Sequence, residues 1–394
     1  MSSKMTSDFD ALLGDVGVER FLSEYWQRKP LLIRQAIPGY ESPVEPDELA
    51  GLSLEEEVES RIVLKNGEHP WELRRGPFGD DAYKTLPEQD WTLLVQAVDQ
   101  FVPEVAELLN RFRFLPSWRI DDVMISYATP GGGVGPHFDN YDVFLLQAQG
   151  KRRWRIGQHC TSESPVQDNP DLRILRDFEC QQEWVLEPGD MLYIPPGIAH
   201  DGIAETDCVT YSIGFRAPSH QEILVHFTDY LAHQLSEDAR YSDAGLKQPE
   251  DPAAIDPESI DRLQQSILQL VQDKEALATW FGRHMTEVKY PELAQSYIDD
   301  DADLLAALNE GYAVIHNPSV RLAYRITAAG EVQVFASGEH CTVSGELLPL
   351  VQLICNQNYV TPEALAPWHE NAQAIELLEQ LFAKGYLLME RDDE

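Results

Sequence analysis

Two histidines and an aspartate are placed where they could bind one metal ion. The segment GPHFDNYD, residues 135–142, contains His137 and Asp139, and His200 follows in LEPGDMLYIPPGIAHDG. Residues two apart on an extended chain point to the same side, so His137 and Asp139 would share a strand face. Two histidines and one carboxylate form the facial triad of non-haem Fe(II) oxygenases, which leaves coordination positions open. An isolated H-x-D pair is usually structural, but a second histidine behind a Pro-Pro-Gly turn favours iron.

A buried arginine supports this interpretation. In KRRWRI, residues 151–156, a period of two places Arg152 with Trp154 and Ile156, and it places Lys151, Arg153 and Arg155 on the other face. If the apolar side chains point inward, Arg152 does too, and a buried guanidinium requires an anion. A dicarboxylate cosubstrate such as 2-oxoglutarate would supply one through a charge-assisted pair. The alternative is an ion pair with an internal Asp or Glu.

The elements that must position these residues are short strands. From about residue 119 the hydrophobic period changes to two, and segments separated by Gly, Pro, Asn and Asp follow one another, which is typical of a sandwich or small barrel. Upstream, residues 18–33 predict an amphipathic helix running into a short strand, and residues 90–112 predict a second helix. The predicted strands are RIDDVMISYA, DVFLLQAQ, KRRWRIG, EWVLEP, DMLYIPP and VTYSIGFR.

Helical patterns return after Arg216. A helix is predicted over 219–235, an acidic linker over 236–258, and a further helix with Asp256 as N-cap and Pro257 at its first position. An apolar stripe on that helix predicts a homodimer interface or packing on the chain's own barrel; it consists of Ile260, Leu263, Ile267 and Leu270. The last ninety residues predict a winged-helix-like module with helices at 303–310, 344–355 and 372–383 and strands near 321–326, 331–335 and 386–390.

Several motifs together indicate a known family. H-x-D, G-x-R-x-W, L-x-P-G-D-x-L-Y-I-P-P-G-x-x-H and Y-S-x-G-F-R resemble the JmjC-type 2-oxoglutarate oxygenases of the cupin fold. The chain is most similar to bacterial ribosomal oxygenases that hydroxylate C3 of an arginine in large-subunit ribosomal protein sixteen. This resemblance implies a mainly β catalytic domain, a double-stranded β-helix, over 1–218. It also implies a helical dimerisation segment over 219–300 and an α+β winged-helix-like domain over 301–394.

The same resemblance assigns the cofactor residues. His137, Asp139 and His200 would hold Fe(II), at which 2-oxoglutarate and dioxygen react. Arg152 would bind the distal carboxylate of 2-oxoglutarate, and Ser126 would be a second contact. The reaction would convert 2-oxoglutarate to succinate and carbon dioxide while one hydroxyl is placed on the substrate.

The resemblance also implies a narrow slot for the substrate arginine. Asp122 would bind the guanidinium, Met124 and Tyr141 would pack against its methylene groups, and Ser212 would be a polar contact. The strand period agrees, because Asp122 and Met124 share one face. The alternative for Asp122 is a solvated carboxylate at a strand edge, which is what we expect of its neighbour Asp121.

The charge of the chain predicts a cationic partner. Thirty Lys and Arg against 67 Asp and Glu give a net charge of −37 over 394 residues, which attracts basic proteins and repels phosphate backbones. A generally acid-rich proteome is the alternative source of this charge. Residues 301–394 contain 4 basic against 14 acidic residues, so we expect no direct nucleic-acid binding. Five scattered cysteines, no apolar run of membrane length and no signal-like start predict a cytoplasmic protein without a membrane span.

Other functions remain compatible with the sequence. Within the same superfamily the alternatives are a ribosomal-protein histidine hydroxylase and a lysine demethylase. A non-catalytic metal-binding cupin that assists ribosome assembly is a different class, although a scaffold needs neither the triad nor Arg152. A transcription regulator that uses the C-terminal module is opposed by the acidic charge of that module.

Overall fold

The computed structural model describes residues 9–66, 70–79, 81–169, 171–295 and 304–390. The chain separates into two compact units between Ala217 and Pro218. The expected boundary near residue 300 lies outside the described residues, and the three-part division stays a prediction.

The first unit is built on two antiparallel sheets. The major sheet has the strand order β1-β9-β6-β11-β5-β4-β2-β3, and the minor sheet has the order β10-β7-β8. The strands are β1 (Leu31–Ile33), β2 (Ser60–Asn66), β3 (Pro70–Arg75), β4 (Trp91–Val95), β5 (Ile120–Ala128), β6 (Asp142–Gln149), β7 (Arg152–His159), β8 (Gln182–Leu186), β9 (Met191–Ile194), β10 (Ile198–Ala204) and β11 (Cys208–Phe215).

Alternation along the strands creates two cores, one on each face of the major sheet. One core joins residues of both sheets, including Val143, Leu192 and Trp154, and therefore fills the space between them. The other core lies on the opposite face and is rich in aromatic contacts, such as the edge-on pair of Phe21 and Tyr193. It includes side chains from short helices, which are α1 (Gly17–Arg20) continued by a π-helix (Phe21–Tyr25), α2 (Pro46–Leu52) and α3 (Pro103–Leu108).

All six predicted strands of this unit are present, and so is the helix that precedes β1. The predicted helix over 90–112 is wrong: Trp91–Val95 forms strand β4, and only Pro103–Leu108 is α-helical. The physical reason is that β4 is buried along its whole length. A strand covered on both faces loses the alternation that distinguishes it from a buried helix. The sequence pattern did not predict β2 or β3.

The second unit combines helices with two three-stranded antiparallel sheets, whose orders are β16-β12-β17 and β13-β14-β15. Its core includes side chains of α9 and α11, among them Ile354 and Leu378. The elements are α4 (His220–Ala232), α5 (Pro257–Val271), α6 (Lys274–Met285), α7 (Pro291–Gln295), α8 (Leu304–Asn309), β12 (Ala313–His316), β13 (Ala323–Ile326), β14 (Val332–Ala336), β15 (Glu339–Val343), α9 (Leu348–Asn356), β16 (Tyr359–Val360), α10 (Pro362–Leu365), α11 (Ala372–Ala383) and β17 (Leu387–Glu390).

Most predicted elements of this unit are confirmed. The carboxylate of Asp256 accepts a hydrogen bond from the Ser259 amide at 2.9 Å, so the predicted N-cap of α5 is present with Pro257 at its first position. The predicted helix over 303–310 is α8, whose expected first residue lies outside the described residues. The sequence pattern did not predict α6, α7, α10, β12, β15 or β16.

Two further expectations concern the described part of the chain. The five cysteines are all free thiols. Every helix formed by the described residues is too short or too polar to span a bilayer.

Candidate active site

The structure brings the three candidate metal ligands together. One side-chain ligand atom from each of His137, Asp139 and His200 lies within 4.8 Å of the others. His200 belongs to β10, whereas His137 and Asp139 lie in the extended segment before β6, and His137 is joined to His200 by an isolated β-bridge. The expectation of a regular strand for the H-x-D pair is therefore wrong. The shared direction of the two side chains is nevertheless present.

Backbone contacts orient both imidazoles toward one point. The Nδ1 atom of His137 lies 2.8 Å from the Gly135 carbonyl, and that of His200 lies 3.0 Å from the Ile198 carbonyl. In the neutral tautomer Nδ1 donates to these oxygens, which leaves the Nε2 lone pair for a metal. Burial and the neighbouring His137 lower the pKa of His200 to about 4. The ring is therefore neutral at pH 7 and able to ligate a cation.

Two glycines allow the backbone to approach closely beside these residues. A Cβ on Gly133 would collide with the Gly202 carbonyl oxygen, so only glycine fits there. A Cβ on Gly202 would lie 2.7 Å from the Trp154 ring and 2.8 Å from Nε of Arg152. The glycine-rich segment 130–135 thus passes close to Gly202, two residues from His200, because its glycines carry no side chain.

Arg152 lies in the interior, as the strand period predicted. It is 3% exposed, and its Nη1 donates to the Ser126 hydroxyl at 3.1 Å and to the Thr210 hydroxyl at 3.5 Å. Its Nη2 lies 3.4 Å from the Gly202 carbonyl, and its Nε has no hydrogen-bond partner among the described residues. Among these residues no carboxylate lies within ion-pair distance of Arg152; the buried Asp201, which interacts with it electrostatically, pairs with Arg155 at 3.2 Å. Burial lowers the pKa of the guanidinium, and an anionic ligand would offset that penalty.

Asp122 is the acidic residue of the expected slot. It is 4% exposed, and the Gln96 side-chain nitrogen donates to its two oxygens at 3.0 and 2.9 Å. The solvated alternative for Asp122 therefore does not hold. The expectation for Asp121 is also corrected, because its carboxylate pairs with Arg216 at 3.2 Å.

Two of the other expected slot residues lie on neighbouring strands of the major sheet. Met124 and Ser212 are directly opposite each other on β5 and β11, so their side chains are neighbours. Tyr141 immediately precedes β6. Burial around its hydroxyl and the carboxylates of Asp139 and Asp122 raise the pKa of Tyr141. Tyr141 therefore stands close to both the metal ligands and the acid of the slot.

Sequence reasoning missed several residues of this region. Thr210 and Gly202 contact Arg152. Gln96 donates to the Asp122 carboxylate, and Nη2 of Arg61 donates to Oε1 of Gln96 at 3.2 Å. Thr210 could have been found by period, because it is two residues from Ser212 on β11. Gln96 and Arg61 could not, since their proximity depends on the order of β2, β4 and β5 in the sheet.

These groups fit an iron ion and a dicarboxylate. Two neutral imidazoles and a carboxylate match the facial ligand set of Fe(II), and both imidazoles are fixed by contacts of their second nitrogen. Nε of Arg152 has no hydrogen-bond partner among the described residues, and the hydroxyl of Ser126 contacts its guanidinium. This environment suits the distal carboxylate of 2-oxoglutarate, which could accept hydrogen bonds from both groups.

Comparison with family descriptions agrees with this geometry. Residues 107–223 match the JmjC domain, and residues 269–388 match the ROXA-like winged helix. Residues 178–280 also match the AraC-like ligand binding domain. The fold is therefore a JmjC cupin followed by a winged helix, which confirms the predicted fold class.

Two bacterial relatives match most of the chain. The ribosomal protein uL16 3-hydroxylase of Escherichia coli is 36% identical over 382 residues, which is 94% of this chain and 97% of the relative. A probable ribosomal oxygenase of Haemophilus influenzae is 33% identical over 82% of this chain and 81% of its own.

Solved structures give the same result. The X-ray structure of E. coli ycfD superposes with a TM-score of 0.85 at 35% identity, covering 94% of this chain and 98% of that one. YcfD, a ribosomal oxygenase, in complex with cobalt and 2-oxoglutarate superposes with a TM-score of 0.80 at 34% identity, covering 95% and 98%.

The fold and the site define the class of the JmjC-type oxygenases, with three candidate metal ligands and a buried arginine in one cupin domain. The coverage and the sequence identity of the matches identify one family within this class. The chain belongs to the ribosomal oxygenase family, which confirms the resemblance found in its sequence motifs.

Proposed function

We propose that this protein is an Fe(II)- and 2-oxoglutarate-dependent dioxygenase that hydroxylates C3 of an arginine in ribosomal protein uL16. The observation that carries the proposal is the facial triad beside a buried arginine that forms no ion pair with any described residue. The uL16 3-hydroxylase of E. coli and the YcfD complex with cobalt and 2-oxoglutarate support it.

Each side chain then has a defined task. His137, Asp139 and His200 hold Fe(II), while Arg152 and Ser126 bind the distal carboxylate of 2-oxoglutarate. When bound, Fe(II), 2-oxoglutarate and dioxygen supply the oxidation that places one oxygen atom in a C–H bond and the other in succinate, with release of carbon dioxide. The protein contributes binding, orientation and exclusion of water, because the reacting groups meet inside a barrel lined by apolar residues.

The slot beside the metal ligands favours arginine as the target. Asp122 offers two acceptor oxygens to a planar guanidinium, whereas an ammonium group cannot match this arrangement with two parallel donors. In this proposal Met124 and Tyr141 pack against the methylene groups of the substrate, and Ser212, opposite Met124 on the neighbouring strand, adds a hydroxyl. The net charge of −37 favours encounter with a basic ribosomal protein.

A comparison of three peptides tests this proposal. The peptides carry the uL16 target sequence with Arg, Lys or His at the target position, and succinate release is measured with Fe(II) and 2-oxoglutarate present. We expect turnover of the Arg peptide, strong loss with Lys and His, and no turnover by His137→Ala. Preference for His or Lys would contradict the arginine assignment, and turnover by His137→Ala would contradict the metal assignment.

The variant Asp122→Asn isolates the role of the slot acid. It keeps the shape of the side chain and removes its charge, so peptide hydroxylation should fall while 2-oxoglutarate decarboxylation without peptide continues. Equal loss of both reactions would mean that Asp122 serves the metal centre instead of the substrate.

We further propose that the chain has three parts, 1–218, 219–300 and 301–394, and that it forms a homodimer through the middle part. The apolar stripe of α5 supports it, because Ile260, Leu263, Ile267 and Leu270 are 53%, 47%, 52% and 41% exposed in the single chain. We also propose a cytoplasmic site of action without direct nucleic-acid binding. The free cysteines and the acidic charge of the C-terminal module support these two points.

A further inference from the structure

Three polar side chains on neighbouring strands form a chain of hydrogen bonds that ends at the slot acid. Arg61 lies on β2, Gln96 follows the last residue of β4, and Asp122 lies on β5, next to β4 in the sheet. Nη2 of Arg61 donates to Oε1 of Gln96 at 3.2 Å. Nε2 of Gln96 donates to both oxygens of Asp122 at 3.0 and 2.9 Å. The same Nη2 lies 4.0 Å from Sδ of Met124.

We propose that Gln96 and Arg61 are positioning residues that orient the Asp122 carboxylate for the substrate guanidinium. The inference rests on the proposed arginine hydroxylase function and deepens it, because it assigns part of the substrate specificity to two residues behind the slot acid. Neither residue needs to touch the reacting atoms.

The chemistry of an amide explains how this positioning works. A glutamine side chain has one accepting end and one donating end, so the hydrogen bond from Arg61 to its oxygen turns its nitrogen toward Asp122. The nitrogen bridges the two carboxylate oxygens and fixes the rotation of the carboxylate group. A carboxylate held in one plane matches the two parallel donors of a guanidinium, whereas an ammonium group is less sensitive to that plane.

The direction in which peptide binding changes when Arg61 is replaced distinguishes a positioning role from direct charge repulsion. Arg61 carries the same charge as the substrate arginine, so direct repulsion predicts tighter peptide binding when its charge is removed. The positioning role predicts the opposite, namely weaker binding of the arginine peptide. It also predicts that discrimination between Arg and Lys peptides decreases.

The test uses Arg61→Met and Gln96→Leu in the full chain. We expect KM for the Arg peptide to rise about tenfold in each, as for loss of a hydrogen bond to a charged group, and the Arg-to-Lys ratio of kcat/KM to fall. KM for 2-oxoglutarate and peptide-independent decarboxylation should stay unchanged. Arg61→Lys, which keeps one donor for Gln96, should recover part of the loss.

The matched control is Arg75→Met. Arg75 is directly opposite Arg61 on β3, but it is exposed and pairs with Asp171 at 3.0 Å. The variant Arg75→Met therefore measures how the loss of one positive charge from the same hairpin changes peptide binding. We expect an unchanged or slightly lower KM for the Arg peptide.

A double-mutant cycle with Asp122→Asn completes the experiment. If Gln96 acts through Asp122, Gln96→Leu should add little to the loss caused by Asp122→Asn. An unchanged or lower KM for the Arg peptide in Arg61→Met, with an unchanged Arg-to-Lys ratio of kcat/KM, would overturn the inference. If Gln96→Leu does not fold, the result for Arg61→Met alone is decisive. Failure of the proposed function would differ, because the wild-type protein itself would then not turn over the Arg peptide.

Discussion

Arg152 carries a positive charge into an interior where the described side-chain partners of its guanidinium are two hydroxyls. A buried cation is destabilising unless an anion approaches it. Binding of the anionic cosubstrate therefore gains a correspondingly large free energy from the pairing of its carboxylate with Arg152. The neighbouring Arg153 differs in this respect, because it lies on the outer face and pairs with Glu183 and Glu205.

Replacing Arg152 should therefore affect cosubstrate binding far more than replacing Arg153. We expect Arg152→Ala to raise KM for 2-oxoglutarate by more than about tenfold, since a charge-assisted pair is lost. Arg153→Ala should change KM less than about twofold, because exposed ion pairs contribute little. The measurement is succinate release against 2-oxoglutarate concentration, and equal effects of the two variants would contradict the inward position of Arg152 as the basis of binding.

Residues that a local pattern specifies were predictable from the sequence. A period of two was sufficient to place Arg152 inside, because Trp154 and Ile156 are buried with it. Gln96 and Arg61 illustrate the limit. They lie 35 positions apart and meet across two neighbouring strands, so no local pattern records their contact.

At the scale of elements, strand β10 contributes more than the proposed metal ligand His200. Besides His200 it contributes Gly202, whose missing side chain leaves room for the Trp154 ring and Nε of Arg152. The pairing of β10 with β7 therefore determines how Arg152 lies relative to the metal centre. Gly202 stands opposite Trp154 in that pairing.

Gly202→Ala tests this role of the β10–β7 pairing. The added methyl group would displace rigid neighbours, so we expect destabilisation by about 1–3 kcal/mol. A raised KM for 2-oxoglutarate should accompany it, because Arg152 must shift. Gly51→Ala is the control, since a Cβ there meets nothing within 4 Å and alanine favours the helix. Urea unfolding with kinetics on both variants gives the answer, and an unchanged KM in Gly202→Ala would contradict the positional role.

The element that sequence reasoning misassigned shows where patterns become ambiguous. In β4 the residues Trp91 and Leu94 fit a helical face, yet the strand is buried on both sides between β2 and β5. Burial of both faces depends on neighbours that are distant in sequence. Burial alone does not prevent recognition, because β9 is also buried along its whole length but is flanked by Pro-Gly and Pro-Pro turn signals, and it was predicted correctly.

At the scale of the whole molecule, the apolar stripe of α5 bears on the oligomeric state. Such a continuous exposed stripe is unusual on a monomer and favours a partner helix. We expect charged substitutions at Leu263 and Ile267 together to give a folded monomer, because each buries a charge in the proposed interface. Analytical ultracentrifugation measures this, and a wild-type chain that sediments as a monomer at micromolar concentration would contradict the dimer.

The central claim concerns the chemical product in the cell. A strain without this protein should contain uL16 that is lighter by the mass of one oxygen atom, and peptide fragmentation should place the missing hydroxyl on C3 of one arginine. Mass spectrometry of ribosomal proteins from that strain and its parent measures this directly. Complementation with the wild-type gene should restore the oxygen, whereas complementation with His137→Ala should not. Identical uL16 masses in the two strains would contradict the claim.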